Sequence, residues 1–557
     1  MYRIHQIKLA LDEPQEKIPE KILKKIGGRD FFIKEWEIVK ESIDARDKSH
    51  IFRVYSVDFN VASRKNPKKN LRLPSADKLR LEIAPYMRYV PAEPADGAAP
   101  LAARPVVVGL GPAGLFCGLV LAQAGYRPLI LERGKDVDRR HEDVDRFWSD
   151  GVLNPDSNVQ FGEGGAGTFS DGKLTTGIKD IRIRKVLDEM VKAGAPADIL
   201  YKQRPHIGTD LLRIVVKNIR QEIIRLGGEV RFDSRLETIH LESGGIRTIT
   251  VRNLQNAGQQ KEDLTEIPCQ ALVLAVGHSA RDTFRMLHEC GIAMEQKPFS
   301  IGVRIEHPQD LIDISQYGRP GRQLGLPPAE YKINYRCAAD GPAEGRGVYT
   351  FCMCPGGQVI IASSQEGGVV TNGMSYHDRD SGTANSALLC DVRPSDFGSN
   401  DVLAGVAFQE KYERLAFEAG REQNPDGKPY SPPQTTWGRL RDGLAPEVEE
   451  CLPSFAVEAF REAMPQLGRK LHGFDGEDAV MTAVETRSSS PVRILRGETY
   501  ESAASGLYPC GEGAGYAGGI TSAAVDGIRV AEAIIRKWKP AAEHAPVRQN
   551  QDTQRFD

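Results

Sequence analysis

The hydrophobic pattern divides the chain into segments of different period. Near the start, YRIHQIKLAL (2–11) alternates apolar and polar positions, which predicts a strand with one buried face. PEKILKKIG (19–27) has helical spacing instead, with a proline near its start and a glycine stop. FFIKEWEIVKESIDARD (31–47) and HIFRVYSVDFNVA (50–62) predict two more strands, and SADKLRLEI (75–83) a second helix. The order β-α-β-β-α predicts a ferredoxin-like α+β module over 1–90. A Pro/Ala-rich linker, 91–104, follows it.

Beyond the linker the pattern changes. RPVVVGL (104–110), RPLILER (127–133) and QALVLAVG (270–277) are apolar at successive positions, as strands buried on both faces of a parallel sheet are. Between the first two, PAGLFCGLVLAQA (112–124) has helical spacing and Gly125 as a stop, so the three make a βαβ unit. Residues 135–200 show no clear period and are glycine-rich around FGEGGAGTFSDGKL (161–174), which predicts irregular backbone. DLLRIVVKNIRQEIIRLG (210–227) predicts a helix, and NLQNAGQQ (253–260) a polar hairpin tip. FSIGVRIE (299–306), GVYTFCMC (347–354), QVIIASS (358–364) and SALLCDV (386–392) are strand candidates, and 401–470 reads as mainly helical. GLYPCGEGAGYAGGITSAAVDGIRVAEAIIRKW (506–538) predicts a strand, a glycine-rich turn and a helix. The last stretch, 543–557, has the composition of a disordered tail.

The length, 557 residues, exceeds what one core holds, so two or three domains are expected. A net charge of −3 gives no general reason to expect nucleic acid as a partner. No apolar run approaches the ~20 residues that span a bilayer, and the start lacks the apolar core of a secretion signal, so no membrane is expected. Nine scattered cysteines suit a reduced, cytoplasmic protein. No histidine, cysteine and carboxylate cluster has metal spacing, so no metal is expected.

The chemistry starts at the first apolar strand. Gly109, Gly111 and Gly114 form G-x-G-x-x-G between a strand and a helix. Glycines there allow a tight turn, close approach to a diphosphate and close helix–sheet packing. The helix start supplies unpaired N–H groups and the positive end of a dipole, and Pro112 suits its first position. Glu132 ends the second strand, 18 residues after Gly114, where a carboxylate accepts from ribose hydroxyls and repels a 2′-phosphate. NADP is therefore not expected at this bend.

The stretches GLGPAGLFCGLVLAQAGYRPLILERG (109–134), VQFGEGGAGTFSDGKLTT (159–176), PHIGTD (205–210), LVLAVGHSARDTF (272–284), TFCMCPGG (350–357), VETRSSSPVRI (484–494) and LYPCGEGAGYAGGITSAAVDG (507–527) together resemble the glutathione-reductase-like flavoproteins with two dinucleotide-binding domains. Within that superfamily they resemble the bacterial FAD-dependent or "NAD(FAD)-utilizing" dehydrogenases, from about residue 1 to 540. The resemblance implies FAD, held extended and noncovalently. It implies an α/β fold with a Rossmann-like FAD-binding domain built from two chain segments, 105–295 and 476–540. An inserted α+β substrate domain would occupy 296–475, the ferredoxin-like module 1–90 and a tail 541–557.

The expected FAD site comprises Gly109, Gly111, Pro112, Ala113, Gly114, Glu132, Arg133, Gly165, Thr168, Ser170, Lys173, Gly277, Gly511, Glu512, Gly518, Gly519 and Ile520. Glu512 matches an acidic residue, usually aspartate, that the superfamily places near the ribityl-diphosphate. Gly518, Gly519 and Ile520 would bring a helix N-terminus to the flavin pyrimidine edge, where reduced flavin carries negative charge. Lys173, His278 and Arg487 are the catalytic candidates: Lys173 as a charge near reduced flavin, His278 as a lone histidine after a strand, and Arg487 with Arg493 as donors to a substrate anion. The alternatives for these two arginines are an exposed turn, and for His278 a structural role. Cys352 and Cys354 lie on a predicted strand, sharing one face with Cα atoms about 6.5–7 Å apart, at the edge of disulfide reach. They are either a redox pair or buried thiols.

These readings lead to an FAD-dependent oxidoreductase, dehydrogenase or monooxygenase-like, acting on a small-molecule substrate through flavin N5. After the FAD motifs there is no further strand-associated G-x-G-x-x-G, so NAD(P)H is expected only as a transient donor. An FAD-dependent RNA-modifying enzyme and a non-enzymatic flavin-binding protein, with a protein partner on the N-terminal module, stay open as alternatives.

Overall fold

The computed structural model describes residues 1–28, 31–64, 66–70, 81–84, 89–255, 263–338 and 340–541. Among the described residues the three largest of six sheets organise the fold. The first holds β1 (Tyr2–Ala10), β2 (Phe31–Asp44), β3 (Phe52–Ser63), β4 (Asn66–Asn70) and β5 (Glu82–Ile83), with helix α1 (Ile18–Ile26) packed on it. Its order is β2-β3-β1-β5, with β3 antiparallel to both β1 and β2, a split β-α-β arrangement. Ile18, Ile22 and Ile26 line one face of α1 and meet Ile4, Val57 and Phe59 in the core. Of the helix expected over 75–83, residues 75–80 lie outside the described residues, and Glu82–Ile83 is strand. The hairpin tip expected at 253–260 lies outside them from 256 onward, and so does the tail.

The linker is anchored. Ala95 donates to the Arg536 carbonyl and Leu101 to that of Lys539, which ties 95–101 along the end of the last helix. The second sheet follows, all parallel, in the order β23-β12-β6-β7-β8. Its strands are β6 (Val106–Val108), β7 (Leu129–Leu131), β8 (Glu229–Arg231), β12 (Leu272–Leu274) and β23 (Leu507–Pro509). Val107, Ile130 and Val273 point to one face, and Val106, Leu129 and Leu272 to the other. Each face has its own core, which is why these runs are apolar throughout. Helices α2 (Pro112–Gln123), α3 (Val137–Asp150), α4 (Arg182–Lys192), α5 (Thr209–Arg225) and α6 (Arg281–Glu289) belong to this unit, as does the meander β9 (Ser234–Glu242), β10 (Gly245–Asn253) and β11 (Leu264–Pro268).

Two of these helices correct the expectation of irregular backbone over 135–200. In α3 only Val137, Arg140, Val144 and Phe147 are buried, so its sequence shows little period, yet Asp136 caps it by accepting from the N–H groups of Asp138 and Arg139. In α4 the buried face is Val186, Glu189 and Met190, and the glutamate breaks the apolar stripe.

The third sheet, in the order β15-β16-β19-β14-β21-β20, lies in the inserted segment, which its strand Val480–Glu485 carries past the expected boundary at 475. The inserted elements run β13 (Met294–Gln296), β14 (Phe299–Pro308), α7 (Gln309–Tyr317), β15 (Asn334–Arg336), β16 (Gly347–Cys354), β17 (Gln358–Ile361), β18 (Thr371–Met374), β19 (Thr383–Val392), α8 (Ala404–Gln423), β20 (Gln434–Thr436), α9 (Trp437–Arg441), α10 (Pro446–Glu449), α11 (Ser454–Lys470), β21 (Val480–Glu485) and β22 (Val492–Ile494). The chain then returns through β23 to the parallel sheet and ends its described part on α12 (Ile520–Lys537). At Gly527 a Cβ would run into the Ala113 carbonyl oxygen, so α12 presses directly on α2. No helix among the described residues is long and apolar enough to cross a membrane.

Candidate functional site

The two glycine-rich bends leave the same edge of the parallel sheet. One follows β6 and the other β23, and β12 lies between them, so they are about 10 Å apart by strand spacing. All three strands run in one direction and end together, which places Gly109–Gly114, Gly277 and Gly511–Glu512 in one row. Ligands of open parallel sheets sit at this carboxyl end.

At the first bend a Cβ on Gly109, whose φ is +98°, would run into the Ala275 carbonyl oxygen, and one on Gly114 into that of Gly109. Gly165 lies against Gly111, and Gly167 against the side chain of Ile520. The loop 162–170 thus joins the first bend to the start of α12. Glu132 is buried and accepts from three backbone N–H groups: Leu110 at 2.8 Å, Gly134 at 2.9 Å and Gly162 at 3.0 Å. It fastens the bend to that loop, a role the sequence pattern did not reveal. Arg133 is engaged with Asp282 at 2.6 Å and lies over the Phe161 ring.

At the second bend Gly511 donates to Asp526, and Arg496 pairs with the same carboxylate at 2.6 Å. Asp526 thus fastens the second bend, a role that sequence reasoning missed. Its one signal was a carboxylate inside the apolar run of α12. The Glu512 carbonyl accepts from Gly515 at 2.9 Å, while no side-chain hydrogen bond is made by its carboxyl among the described residues. Burial pushes its pKa up to about 7, against the pull of Lys297. Lys297 itself is held by Ser489 at 2.6 Å. A Cβ at Gly277, Gly518 or Gly519 would meet nothing within 4 Å. A cleft of about 400 Å³ opens beside Gly518 and Gly519, lined by 175–178, 515–519, Thr521 and Ser522, at the N-terminus of α12.

The remaining candidates fall into buried networks. Thr168 lends its hydroxyl to the Glu163 carbonyl, and Ser170 to that of Gly167 at 2.6 Å. Lys173 bonds Asp171 and the Met353 carbonyl, and Asp171 also takes Arg379 at 2.6 Å, which in turn holds Glu330. Burial alone would raise Asp171, but Lys173 and Arg379 outweigh it and hold it well below the usual carboxylate range. The ammonium of Lys173 is thus neutralised by protein.

Arg487 is buried, which corrects the exposed-turn alternative for it, while Arg493 pairs with Glu295 at 3.2 Å on the surface. Arg487 donates to Glu413 at 2.8 and 3.0 Å and to Ser364 at 2.5 Å. Arg281 from α6 takes the other side of the same carboxylate at 2.7 and 2.8 Å. Glu413 therefore joins the parallel-sheet unit to the inserted one, and the donors of Arg487 are spent there instead of on an anion. His278 neighbours this cluster. Burial, then Arg487 and Arg281, push its pKa down to about 3. Because the folded pKa lies below the unfolded one, His278 contributes stability at pH 7 that is lost as pH falls from about 6.5 towards 3. The advantage of wild type over His278→Asn should shrink by about 2 kcal/mol between pH 7 and pH 5 in urea unfolding. An unchanged difference would remove this role.

The regular strand expected at Cys352 and Cys354 is also corrected. β16 loses register with β19 between Phe351 and Cys354, and Cys352 has φ +44°. The bulge turns two same-face thiols into a contact.

The donor set fits an extended dinucleotide: bare backbone at both bends, a helix N-terminus at each, and the half-buried carboxyl of Glu512 at the second. Residues 298–488 match the family described as FAD-dependent protein, C-terminal domain-like, and residues 1–60 match a domain of unknown function, DUF8436. An uncharacterised protein of Clostridium beijerinckii is 47% identical over 553 residues, covering 96% of this chain and 99% of its own. Glycerol-3-phosphate dehydrogenase from Bacillus halodurans, solved with FAD, is 12% identical with a TM-score of 0.33, over 77% of this chain and 63% of that one. A flavoprotein/dehydrogenase from Cytophaga hutchinsonii is 13% identical with a TM-score of 0.34, over 77% and 76%. Likeness at that level says nothing of reaction or substrate.

Proposed function

Because the chain belongs to the same family as the Clostridium beijerinckii protein and is FAD-dependent, we propose that it is an oxidoreductase passing hydride or electrons between bound flavin and a small-molecule substrate. The observation that carries this reading is the row of bare backbone from Gly109 to Gly277 to Gly511, ending on the unpartnered carboxyl of Glu512. Gly109–Gly114 and the start of α2 would hold the diphosphate, the start of α12 the pyrimidine edge, and Glu512 the ribityl hydroxyls. Glu132 keeps lone pairs for a ribose besides its three backbone bonds. When bound, flavin supplies two-electron chemistry; the chain supplies orientation and a positive helix end.

Stopped-flow mixing with NADH, NADPH and a metabolite panel tests the enzyme reading. At least one should bleach the flavin within seconds, and bleaching by none would overturn it.

Glu512 gives a pH signature. Hydroxyl donors favour its ionised form, so FAD affinity should rise between about pH 6 and pH 8 as the carboxyl loses its proton. Glu512→Gln should bind more weakly and with a flat profile in fluorescence titration. A wild-type slope retained in the variant would exclude Glu512 from the site.

A further inference from the structure

Cys352 and Cys354 end β16, where the inserted sheet meets the loop that carries Lys173. Three features set them apart from the other cysteines. The Cys354 thiol donates to the Cys352 carbonyl at 3.3 Å, so the two residues are in contact. Their backbone is bulged, with Cys352 in the left-handed region that a non-glycine residue seldom occupies. They also sit between cations: the Nη2 of Arg304 donates to the Cys352 carbonyl at 3.1 Å and lies 3.6 Å from the Cys354 Sγ, while Lys173 bonds the carbonyl of the intervening Met353.

The exposures differ in a useful way. Cys352 is partly accessible, whereas Cys354 is fully buried behind it. An accessible thiol backed by a second thiol and by positive charge is the arrangement of an attacking and a resolving cysteine.

We propose that Cys352 and Cys354 form a dithiol–disulfide couple that exchanges with small disulfides, Cys352 attacking and Cys354 resolving. In the first step the Cys352 thiolate bonds one sulfur of the disulfide, whose S–S bond breaks and whose other half leaves as a thiolate. In the second, Cys354 gives up its proton and bonds the Cys352 sulfur, and the remaining half leaves. The pair loses two electrons and two protons, and the small disulfide becomes two thiols. Electrostatics agree: a hydrogen bond from Cys354, opposed by burial and reinforced chiefly by Arg304, since Asp171 offsets the pull of Lys173, lowers the Cys352 pKa below the ordinary thiol value, while Cys354 is raised. Arg304 is shared between these sulfurs and Glu485, which it meets at 3.1 Å. The couple stands independently of the flavin reading, since exchange needs only the two thiols.

The test uses the full-length protein and the aromatic disulfide DTNB. After brief reaction and acid quench, tryptic peptide 347–379 is weighed; it holds Cys352 and Cys354 and no other cysteine. Both halves of the reagent should be released for each chain that reacts, and the peptide should come out ~2 Da lighter than the reduced form, with no adduct. Cys354→Ser should stop at the first step and keep the adduct on Cys352. A wild-type peptide that carries the adduct, or one whose mass is unchanged, overturns the proposal, and either result is read without a variant.

Discussion

Replacing Glu413 by alanine should cost about 3–5 kcal/mol of stability, a large share of what holds most domains together. The carboxylate is 2% exposed and lies between Arg281, at 1%, and Arg487, at 4%. It is bonded by both guanidinium groups and by the Thr486 hydroxyl at 2.6 Å. Without it two buried cations face each other, with Glu410 only 3.9 Å from one of them as remaining compensation. Burial by itself would raise the Glu413 pKa, but the two arginines hold it far below the usual range. Its contribution is therefore complete above about pH 4.5 and lost as pH falls towards the folded pKa. Urea unfolding at pH 7 measures the loss. Adding Arg487→Met to the variant should recover part of it, because one stranded charge goes with it. A loss below about 1 kcal/mol would show the network to be solvated and the junction between the two units to lie elsewhere.

Gly114→Ala should yield a chain without bound FAD. The new methyl group would be driven into the Gly109 carbonyl oxygen, which is backbone and cannot rotate aside. Either the start of α2 moves off the sheet or the bend between them opens, and overpacking of this kind costs about 1–3 kcal/mol. Displacement of the bend from the diphosphate should weaken FAD at least tenfold, since ~1.4 kcal/mol suffices for that. Gly497→Ala is the control: it lies outside both bends, a Cβ there comes no nearer than 3.9 Å to another atom, and its effect on affinity should be small. Equal affinity in wild type and Gly114→Ala, by fluorescence titration of flavin-free protein, would remove the first bend from the site.

Both bends were legible in the sequence because their signal is local. Three valines, a glycine turn with Pro112, and the helical spacing after it specify β6 and α2 within one short stretch, and the same holds for β23 and α12. What was not legible is what distant segments do to one another. Glu132 has the expected position but also pins Leu110 and Gly162, a contact across 30 residues. Arg487 follows β21 in a run of serines that reads equally as a surface turn, and only α8, which carries Glu413, makes it a buried partner. Helix α3 escaped detection because its buried face includes Arg140, whose guanidinium is satisfied by the carbonyls of Asn158, Val159 and Glu163. The bulge at Cys352 was hidden for a related reason: period-2 reasoning assumes an unbroken strand, and nothing in TFCMCPGG marks the left-handed turn.

The row of bare backbone at the end of the parallel sheet is tested most directly by purifying the chain, recording its visible spectrum and weighing the small molecule released on denaturation. A yellow protein that releases FAD, about one per chain, is the result expected. A colourless protein that binds no FAD when incubated with an excess of it would contradict the site at its root.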